Sequence, residues 1–239
     1  MTEPLVIAID GPAGAGKSTV AQKLAERLGL TYVDSGATYR VAALKVLGLG
    51  IRPDDVTAVA GAVANADIRI ATDGPLSRVF LDGADASEKI RSAEVTVAAA
   101  QVSRLSSVRE KLIALQRRLA SGRGVVMEGR DIGTVVFPEA PLKIFLEAAP
   151  EERARRRLEQ DRKEGRARTL EQTAYEIAQR DQLDAARKIS PLVAAPDAVA
   201  IDSTHLTAEE VVEHIVKLAK ERGLVRTSTR SENPAIRNS

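Results

Sequence analysis

The chain has 239 residues, 44% of them hydrophobic and 28% charged, and it contains no cysteine. These proportions are ordinary for a soluble globular protein, and the lack of cysteine excludes a disulfide framework, a thiolate metal site and a cysteine nucleophile. The formal net charge is +2, and residues 226–239 alone carry three arginines against one glutamate. The rest of the chain is therefore neutral and offers no basic excess for nucleic acid.

No apolar run approaches the roughly 20 residues that cross a bilayer, so we expect no membrane contact. The N-terminal sequence passes straight into a strand pattern without a basic segment before it, which is not typical of a signal peptide. We therefore expect a cytoplasmic protein. The tail 226–239 is rich in Ser, Thr, Asn and Arg, and this composition predicts disorder.

Five short apolar runs, separated by helical patterns, predict a parallel β-sheet that is covered on both faces. The runs are LVIAI (5–9), TYV (31–33), VVM (125–127), LKIFL (142–146) and AVAI (198–201). Amphipathic patterns that predict helices lie at residues 17–28, 38–47, 107–120, 151–164, 170–187 and 207–222. The expected fold is a three-layer α/β/α arrangement with a five-stranded parallel sheet.

Two segments interrupt this alternation. Residues 66–91 contain two runs of alternating apolar and polar residues around Asp73-Gly74-Pro75. They predict a β-hairpin, and hence a small antiparallel lobe inserted into the core. Residues 150–168 are dense in charges of both signs, and such a pattern taken alone is typical of a solvated helix with ion pairs at i,i+4 spacing.

Residues 11–18, GPAGAGKS, match the phosphate-loop pattern GxxxxGK[ST] at every specified position, and a strand pattern leads into them. The glycines let backbone N–H groups turn toward a phosphate, Lys17 reaches the β- and γ-phosphate oxygens, and the Ser18 hydroxyl is a ligand for Mg²⁺. The sequence therefore predicts a nucleoside triphosphate with Mg²⁺. The residues expected to bind it are Gly11, Pro12, Ala13, Gly14, Ala15, Gly16, Lys17, Ser18 and Thr19.

The phosphate loop alone fits a GTPase, a motor, a transporter ATPase and a small-molecule kinase equally well. A GTPase would carry an N/T-K-x-D segment that reads the base, and none follows the later strand patterns. A large ATPase has far more chain. Here the strand pattern 125–127 runs into Glu128-Gly129-Arg130-Asp131, and this mixture of acid and base suits a site that binds a charged acceptor.

A second polar turn, YVDSGATYR at residues 32–40, lies one helical pattern after the phosphate loop. Ligands of open parallel sheets bind beyond the carboxyl ends of the strands, where both polar segments lie. The guanidiniums of Arg40 and Arg130 suit phosphate oxygens, while Asp34 and Asp131 can accept hydrogen bonds from amino or hydroxyl groups. Asp34 also suits the N-cap of the next helix, and the two roles are compatible. A nucleoside monophosphate has the phosphate and the donor groups that this site expects.

Several segments together resemble the bacterial cytidylate kinases, which are nucleoside monophosphate kinases. The segments are VDSGATYR (33–40), MEGRDIGTVVFP (127–138), IAQRDQLDAARKISPL (177–192) and AVAIDSTHLTAEEVV (198–212). They occur in family order, and the resemblance covers about residues 5–220. It implies a kinase core at 1–60, 106–149 and 169–225, a monophosphate-binding lobe with a small antiparallel sheet at 61–105, and a lid at 150–168.

The resemblance also implies roles for individual residues. Ser35, Arg40, Arg130 and Arg187 correspond to positions around the phosphate and sugar of CMP. Arg109 and Asp131 correspond to positions that read the cytosine ring, and Arg180 and Asp184 to positions near the ribose hydroxyls. One position departs from the family, because Ala100 stands where many members have a serine near the base. Ser103, one helical turn later, is a candidate replacement hydroxyl.

The charged segment 150–168 gains a second interpretation from this resemblance. In a lid that follows the fourth core strand, Arg153 and Arg157 share one helix face and become candidates to contact the transferring phosphoryl group. With Lys17 and Arg130 they form the expected catalytic set. The reaction implied is transfer of the γ-phosphoryl group of ATP to CMP or dCMP, in pyrimidine nucleotide metabolism, by a protein that is expected to be a monomer.

Three other functions stay open at the level of the sequence. A different small-molecule P-loop kinase, with shikimate or adenylate as acceptor, would use the same loop. A nucleotide-switched binding protein would hydrolyse slowly, although the missing base-reading segment counts against it. A nucleic-acid-dependent NTPase would use the arginines of the lid segment, although the neutral charge of the chain makes this a poor fit.

Overall fold

The computed structural model describes residues 4–71, 77–122, 124–163, 165–187 and 189–225. In this part of the chain there are eight strands: β1 (Val6–Asp10), β2 (Thr31–Asp34), β3 (Ile68–Ala71), β4 (Arg78–Leu81), β5 (Ala84–Asp85), β6 (Val125–Gly129), β7 (Leu142–Glu147) and β8 (Val199–Asp202). Five of them form a parallel sheet in the order β2-β6-β1-β7-β8, and β3, β4 and β5 form a separate antiparallel sheet. The α/β class and the five-stranded parallel sheet are thus confirmed.

The helices of the described residues are α1 (Lys17–Leu28), α2 (Ser35–Gly48), α3 (Val56–Ala64), α4 (Ala93–Val102), α5 (Ser106–Leu119), α6 (Pro150–Lys163), α7 (Leu170–Ala185) and α8 (Ala208–Glu221). A 3₁₀ turn covers Lys89–Arg91, and a π-helical turn covers Ile132–Val136. The six helices expected from the sequence are present, and α8 begins at a capping box formed by Thr207 and Glu210. Helices α3 and α4 were not expected.

Strand β1 lies at the centre of the sheet, and its side chains alternate between two apolar cores. Ile7 and Ile9 pack on the face that α1 and α8 cover, whereas Val6 and Ala8 pack with β6 and the π-helical turn. Both faces of β1 are buried, so apolar residues do not alternate with polar ones along this strand as they do where one face is exposed. The carboxyl ends of β1, β2 and β6 meet at one edge, where the polar segments of the sequence begin.

The segment between α2 and α5 forms an inserted layer with its own apolar core. Strands β3 and β4 pair with Ile68 opposite Leu81, which confirms the predicted antiparallel hairpin, although its turn at 72–76 lies outside the described residues. The core of this layer also contains side chains of α2 and α5. The domain boundaries expected from the sequence remain a prediction.

Lys111 of α5 fastens the inserted layer to the rest of the protein. Its Nζ donates to the carbonyl oxygens of Val63, Ala64 and Ala66 at 2.5, 2.7 and 2.8 Å, respectively. These carbonyls lie at and beyond the end of α3, where a helix has no internal donors left, so the ammonium group caps the helix.

The disorder predicted for 226–239 concerns residues outside the described ranges. Within those ranges, no helix combines the length and the apolar character that crossing a membrane demands.

Candidate active site

The phosphate loop connects β1 to α1, and its shape depends on glycine. Gly14 and Gly16 have φ angles of 78° and 91°, in the left-handed region that other residues avoid. A side chain at Gly11 would place its Cβ 2.1 Å from the carbonyl oxygen of Leu146, and one at Gly14 would meet the carbonyl oxygen of Arg153 at 2.7 Å. The loop is therefore packed closely against β7 and α6.

Lys17 lies at the first position of α1 and is turned back over the loop. Its Nζ donates to the carbonyl oxygen of Pro12 at 2.7 Å, and only 5% of the residue is exposed. Burial, and then repulsion from Arg130, lowers the pKa of Lys17 to about 7. The ammonium group is thus poised to gain from an arriving negative charge.

Beside the loop, Glu128 near the end of β6 is a buried carboxylate. The sequence placed it in the segment expected to bind a charged acceptor, but gave it no role of its own. It accepts a hydrogen bond from the Tyr32 hydroxyl at 2.9 Å, and burial together with the nearby Asp34 raises its pKa. The Ser18 side chain lies close enough to lower the same pKa. A hydroxyl and a carboxylate side by side are the hard oxygen ligands that Mg²⁺ accepts.

Asp10, at the end of β1, is a second acid that the sequence analysis missed. Its two carboxylate oxygens accept the backbone N–H groups of Ile132 and Gly133, at 2.8 and 2.7 Å. Burial raises the pKa of Asp10 to about 6. The carboxylate fixes the start of the π-helical turn, and it therefore helps to hold the neighbouring Arg130 and Asp131 in position.

Asp34 and Arg40, at the start of α2, form one part of the predicted acceptor site. Arg40 Nη2 lies 2.6 Å from Asp34 Oδ2, and Asp34 Oδ1 accepts the N–H of Ala37, so Asp34 both caps α2 and pairs with the arginine. Although burial opposes it, the Arg40 guanidinium holds the pKa of Asp34 below its usual value. Ser35 is buried against Gly129, where an added Cβ would lie 2.5 Å from its hydroxyl.

Asp184 of α7 joins two of the predicted phosphate-binding arginines. Its Oδ2 accepts from Arg130 Nε at 2.9 Å, and its Oδ1 lies 2.5 Å from Arg187 Nη2. Arg180, one turn earlier on α7, faces the same region. Desolvation between the cleft walls, followed by repulsion from Arg130, lowers the pKa of Arg180 to about 10. Several cations thus converge here, as an anionic ligand requires.

The residues predicted to read a base lie deeper. Arg109 and Asp131 form an ion pair with 2% and 6% of their side chains exposed. Arg109 Nε donates to the hydroxyl of Ser190 at 3.2 Å, and its guanidinium lies 5.3 Å from the centre of the Tyr39 ring. Ser190 has a φ of 54°, which is unusual for a residue other than glycine.

The two predicted lid arginines lie in different places. Arg157 lines the cleft, and its Nε is 3.3 Å from Asp161 Oδ1. Arg153 instead packs behind the phosphate loop, where it donates to the carbonyl oxygen of Ala13 at 3.1 Å and pairs with Asp181. Asp181 also accepts the N–H of Ala13 at 3.1 Å. In this structure Arg153 therefore braces the loop, and direct contact with a phosphoryl group stays a prediction.

Arg156, which the sequence analysis passed over, lies between its two predicted neighbours and next to the loop. It donates to the carbonyl oxygen and to the hydroxyl of Ser203, at 2.6 and 2.9 Å, and to Glu152 at 2.7 Å. Ser203 follows β8, so this arginine connects the lid to the far side of the sheet. Arg153, Arg156 and Arg157 lie within one and a half turns of the same helix but have different environments, and their sequence context alone does not separate them.

One cleft of about 1380 Å³ brings most of the predicted residues together. It is lined by Ala13, Gly14, Ala15, Gly16, Lys17, Ser18, Thr19, Asp34, Ser35, Arg40, Arg109, Arg130, Asp131, Arg157, Arg180, Asp184 and Arg187. A phosphate loop faces a second anion pocket across this cleft. Such an arrangement can align a triphosphate with an anionic acceptor and neutralise charge on both.

The fold and the site define a P-loop phosphotransferase of the nucleoside monophosphate kinase type. The family model described as Cytidylate kinase matches residues 7–221. The chain therefore belongs to the cytidylate kinase family.

Curated relatives agree with this assignment. The chain is 46% identical over 226 residues to a cytidylate kinase of Mycobacterium avium, a match that covers 94% of this chain and 99% of the relative. It is 51% identical over 211 residues to one of Pelotomaculum thermopropionicum, covering 88% and 93%. A solved shikimate kinase from Acinetobacter baumannii covers 92% of this chain and 96% of its own, with a TM-score of 0.45 and 18% identity. Those last values are too low to say anything about the acceptor.

Proposed function

We propose that the protein transfers the γ-phosphoryl group of ATP to CMP or dCMP, giving ADP and CDP or dCDP. The observation that carries this proposal is that the phosphate loop faces Arg40, Arg130 and Arg187 across one shared cleft. A protein that only hydrolyses a triphosphate has no use for a second cluster of guanidiniums beside buried carboxylates. An acceptor with its own phosphate, sugar hydroxyls and an exocyclic amino group uses all of them.

In the proposed reaction, an oxygen of the CMP phosphate attacks the γ-phosphorus of ATP. The new P–O bond forms as the bond to the β,γ-bridging oxygen breaks, and the electron pair leaves with ADP. Because the second pKa of a phosphate monoester is about 6, this nucleophile is mostly dianionic at neutral pH and needs no general base. Catalysis then depends on alignment and on neutralising charge.

The residues divide this work between the two ends of the cleft. On the donor side, Lys17 leaves Pro12 to reach the β- and γ-phosphates. On the acceptor side, Arg40 and Arg130 grip the phosphate of CMP, while Asp184 fixes Arg130 from behind. The carboxylate of Asp131, held by Arg109, accepts a hydrogen bond from the exocyclic amino group of cytosine.

The residues beside the loop fit a magnesium ion. The Ser18 hydroxyl and, directly or through water, the buried Glu128 carboxylate would hold it. A magnesium ion held there would supply positive charge that offsets the negative charge of the triphosphate. Glu128 is buried, and the charge of Lys17 lowers its pKa against the effect of that burial.

The remaining expectations are part of the proposal. We expect Arg157 to approach the triphosphate when α6 closes over the cleft, which would exclude water from the reaction. We also expect a monomer that acts in the cytoplasm on small molecules, without nucleic acid or a membrane as partner. The formal charge of the chain outside its last fourteen residues is zero, which agrees with the absence of a nucleic-acid role.

The test is coupled ADP production with Mg-ATP and, in parallel, CMP, dCMP, UMP, AMP, shikimate or no acceptor. We expect turnover with CMP and dCMP at least about tenfold above the others, the range that differential contacts of an amino group can supply. Preferred turnover of shikimate or AMP would replace the proposal with another small-molecule kinase. ATP hydrolysis unchanged by any acceptor would replace it with a nucleotide-switched protein.

A further inference from the structure

Ser103, which follows the last residue of α4, lies where the base end and the phosphate end of the acceptor site meet. It is 5% exposed and lines the cleft. Its carbonyl oxygen accepts from Arg109 Nη1 at 3.2 Å, and its hydroxyl accepts from Arg187 Nη2 at 3.2 Å. One residue of the inserted layer therefore contacts two arginines that approach from α5 and from the end of α7.

Each of these arginines leads to a different group of the site. Arg109 forms an ion pair with Asp131, at the base end. Arg187 forms an ion pair with Asp184, which also pairs with Arg130, at the phosphate end. Ser103 thus stands inside a continuous polar chain with a base-reading carboxylate at one end and a phosphate-binding guanidinium at the other.

The direction of the hydrogen bonds explains why a hydroxyl suits this position. The Ser103 hydroxyl donates its proton to the carbonyl oxygen of Ala100 at 3.1 Å, so its lone pairs are left for Arg187. Two guanidiniums that approach one another repel. The pKa of Arg187 is lowered chiefly by desolvation, and Arg109 lowers it further against the opposing effect of Asp184. Acceptors placed between the two cations reduce this cost.

These contacts also revise the role considered for Ser103 in the sequence. A serine that substitutes for a hydroxyl at position 100 would read the base directly. Here the hydroxyl proton is committed to Ala100 and the oxygen faces an arginine of the phosphate end. We propose that Ser103 is a positioning residue, which holds Arg187 in register with the base end and so makes binding of base and phosphate depend on one another. This inference rests on the proposed function.

The experiment compares the wild-type protein, Ser103→Ala, Arg187→Ala and the double variant. The readouts are kcat and KM for CMP and for UMP, together with calorimetric binding of CMP without ATP. We expect Ser103→Ala to raise KM and Kd for CMP by about fivefold to tenfold, with kcat changed less than about threefold and the CMP:UMP preference unchanged. In the Arg187→Ala background, the same substitution should add less than about twofold, because the contact is already lost.

Two further variants control for folding and for the loss of any serine. Ser103→Thr keeps the hydroxyl and the carbonyl, and should stay within about threefold of the wild-type KM. Ser107→Ala removes an exposed serine four positions later and should change neither parameter. Thermal unfolding of each variant shows whether the substitution has merely weakened the fold.

The alternatives give different patterns. A CMP:UMP preference that falls about tenfold, with effects that add to those of Arg187→Ala, would make Ser103 a direct base reader and overturn the proposal. Unchanged kinetics would overturn it as well. If the wild-type protein binds CMP without turning it over, the kinase function fails while binding still decides the role of Ser103. If the wild-type protein does not bind CMP, both proposals fail.

Discussion

The acceptor end and the lid end of the cleft hold their arginines in different ways. In the Arg109–Asp131 pair of the acceptor end both partners are buried, with 2% of Arg109 and 6% of Asp131 exposed. In the lid only the carboxylate is buried. Asp161 is 1% exposed, whereas the arginines that pair with it keep 25% to 36% of their side chains in solvent: Arg157, Arg166 and Arg168.

This difference sets how easily each arginine can change partner. Separating two desolvated charges leaves an uncompensated charge in the interior, which costs several kcal/mol. A partly exposed guanidinium loses little when it leaves a carboxylate, because water replaces the contact. The base end of the acceptor site, which Arg109 and Asp131 form, is therefore preorganised before any substrate binds. In the lid, the partly exposed arginines around Asp161 can leave it at little cost and turn toward a bound triphosphate.

The largest effect is expected at the acceptor end, from Arg130→Ala. This side chain pairs with Asp184 and lies close enough to Lys17 to lower its pKa, so it serves both substrates. We expect kcat for CMP to fall by about 10³-fold, the loss typical of an arginine that stabilises a transferring phosphoryl group. The exposed Arg52→Ala is the control. A variant of Arg130 that keeps more than about a tenth of the wild-type kcat would contradict this assignment.

The same substitution made at both ends tests the comparison directly. Asp131→Asn leaves the buried Arg109 without its counter-ion, and we expect the free energy of unfolding to fall by about 3 kcal/mol. For a chain of this size that corresponds to a Tm roughly 6–12 °C lower. Asp161→Asn, whose arginines are solvated, should cost less than about 1 kcal/mol. Equal losses in calorimetric unfolding would mean that the two ends do not differ.

For activity, Asp161→Asn should have a moderate effect. Without the carboxylate, Arg157, Arg166 and Arg168 lose their common partner, and the lid closes with its arginines less well ordered. We expect kcat to fall by about tenfold while KM for CMP stays within about twofold, because the acceptor end is untouched. A raised KM for CMP with normal kcat would instead link Asp161 to the acceptor end.

The smallest effect concerns the pH dependence of ATP binding. The pKa of Lys17 is about 7 before the triphosphate binds, and the phosphates raise it toward its ordinary value. Binding must then take up a proton above pH 7, so affinity falls as pH rises, by about fivefold between pH 7 and pH 8. Calorimetry in two buffers of different ionisation enthalpy measures this uptake directly.

A matched pair of variants assigns the proton. Lys23→Met removes an exposed lysine of the same helix, and proton uptake should persist in it. Lys17→Met should bind ATP more weakly and without the uptake. Uptake that survives in Lys17→Met would move the titrating group elsewhere, and Asp10 and Glu128 would be the next candidates.

How much could be predicted from the sequence depends on how far apart interacting residues lie in the chain. Helix α1 occurs at Lys17–Leu28, as predicted, because the loop motif, the apolar spacing and the following Gly29 all act locally. The hairpin strands were found for the same reason. Helices α3 and α4 were missed, because short runs of alanine and valine have no clear polar face and their packing against α2 decides their structure.

The same distinction holds in the site. The loop residues, Asp34 and Arg40 were found because each lies in a local motif. Contacts such as Arg109 to Ser190, 81 residues apart, and Ala13 to Asp181, 168 residues apart, have no local signal. Glu128 and Asp10 had a weaker one, since an acid at the carboxyl end of a buried strand faces the ligand edge of a parallel sheet. Arg153 and Arg157 lie on the same face of α6, so the sequence pattern could not show that Arg153 packs behind the loop whereas Arg157 lines the cleft.

The contact between the phosphate loop and Asp181 limits how the protein can be redesigned. Asp181 is bonded to the loop at Ala13 and to Arg153, and it directly follows Arg180 on a helix that also carries Asp184. One helix, α7, thus contacts the phosphate loop and also lines the acceptor pocket. Substitutions on the cleft-facing side of α7 that aim to change the acceptor preference will leave ATP binding intact only if Asp181, which contacts the loop, is kept. Variation of acceptor preference is therefore easier to introduce through α4 of the inserted layer, which lines the cleft and belongs to neither α7 nor the phosphate loop.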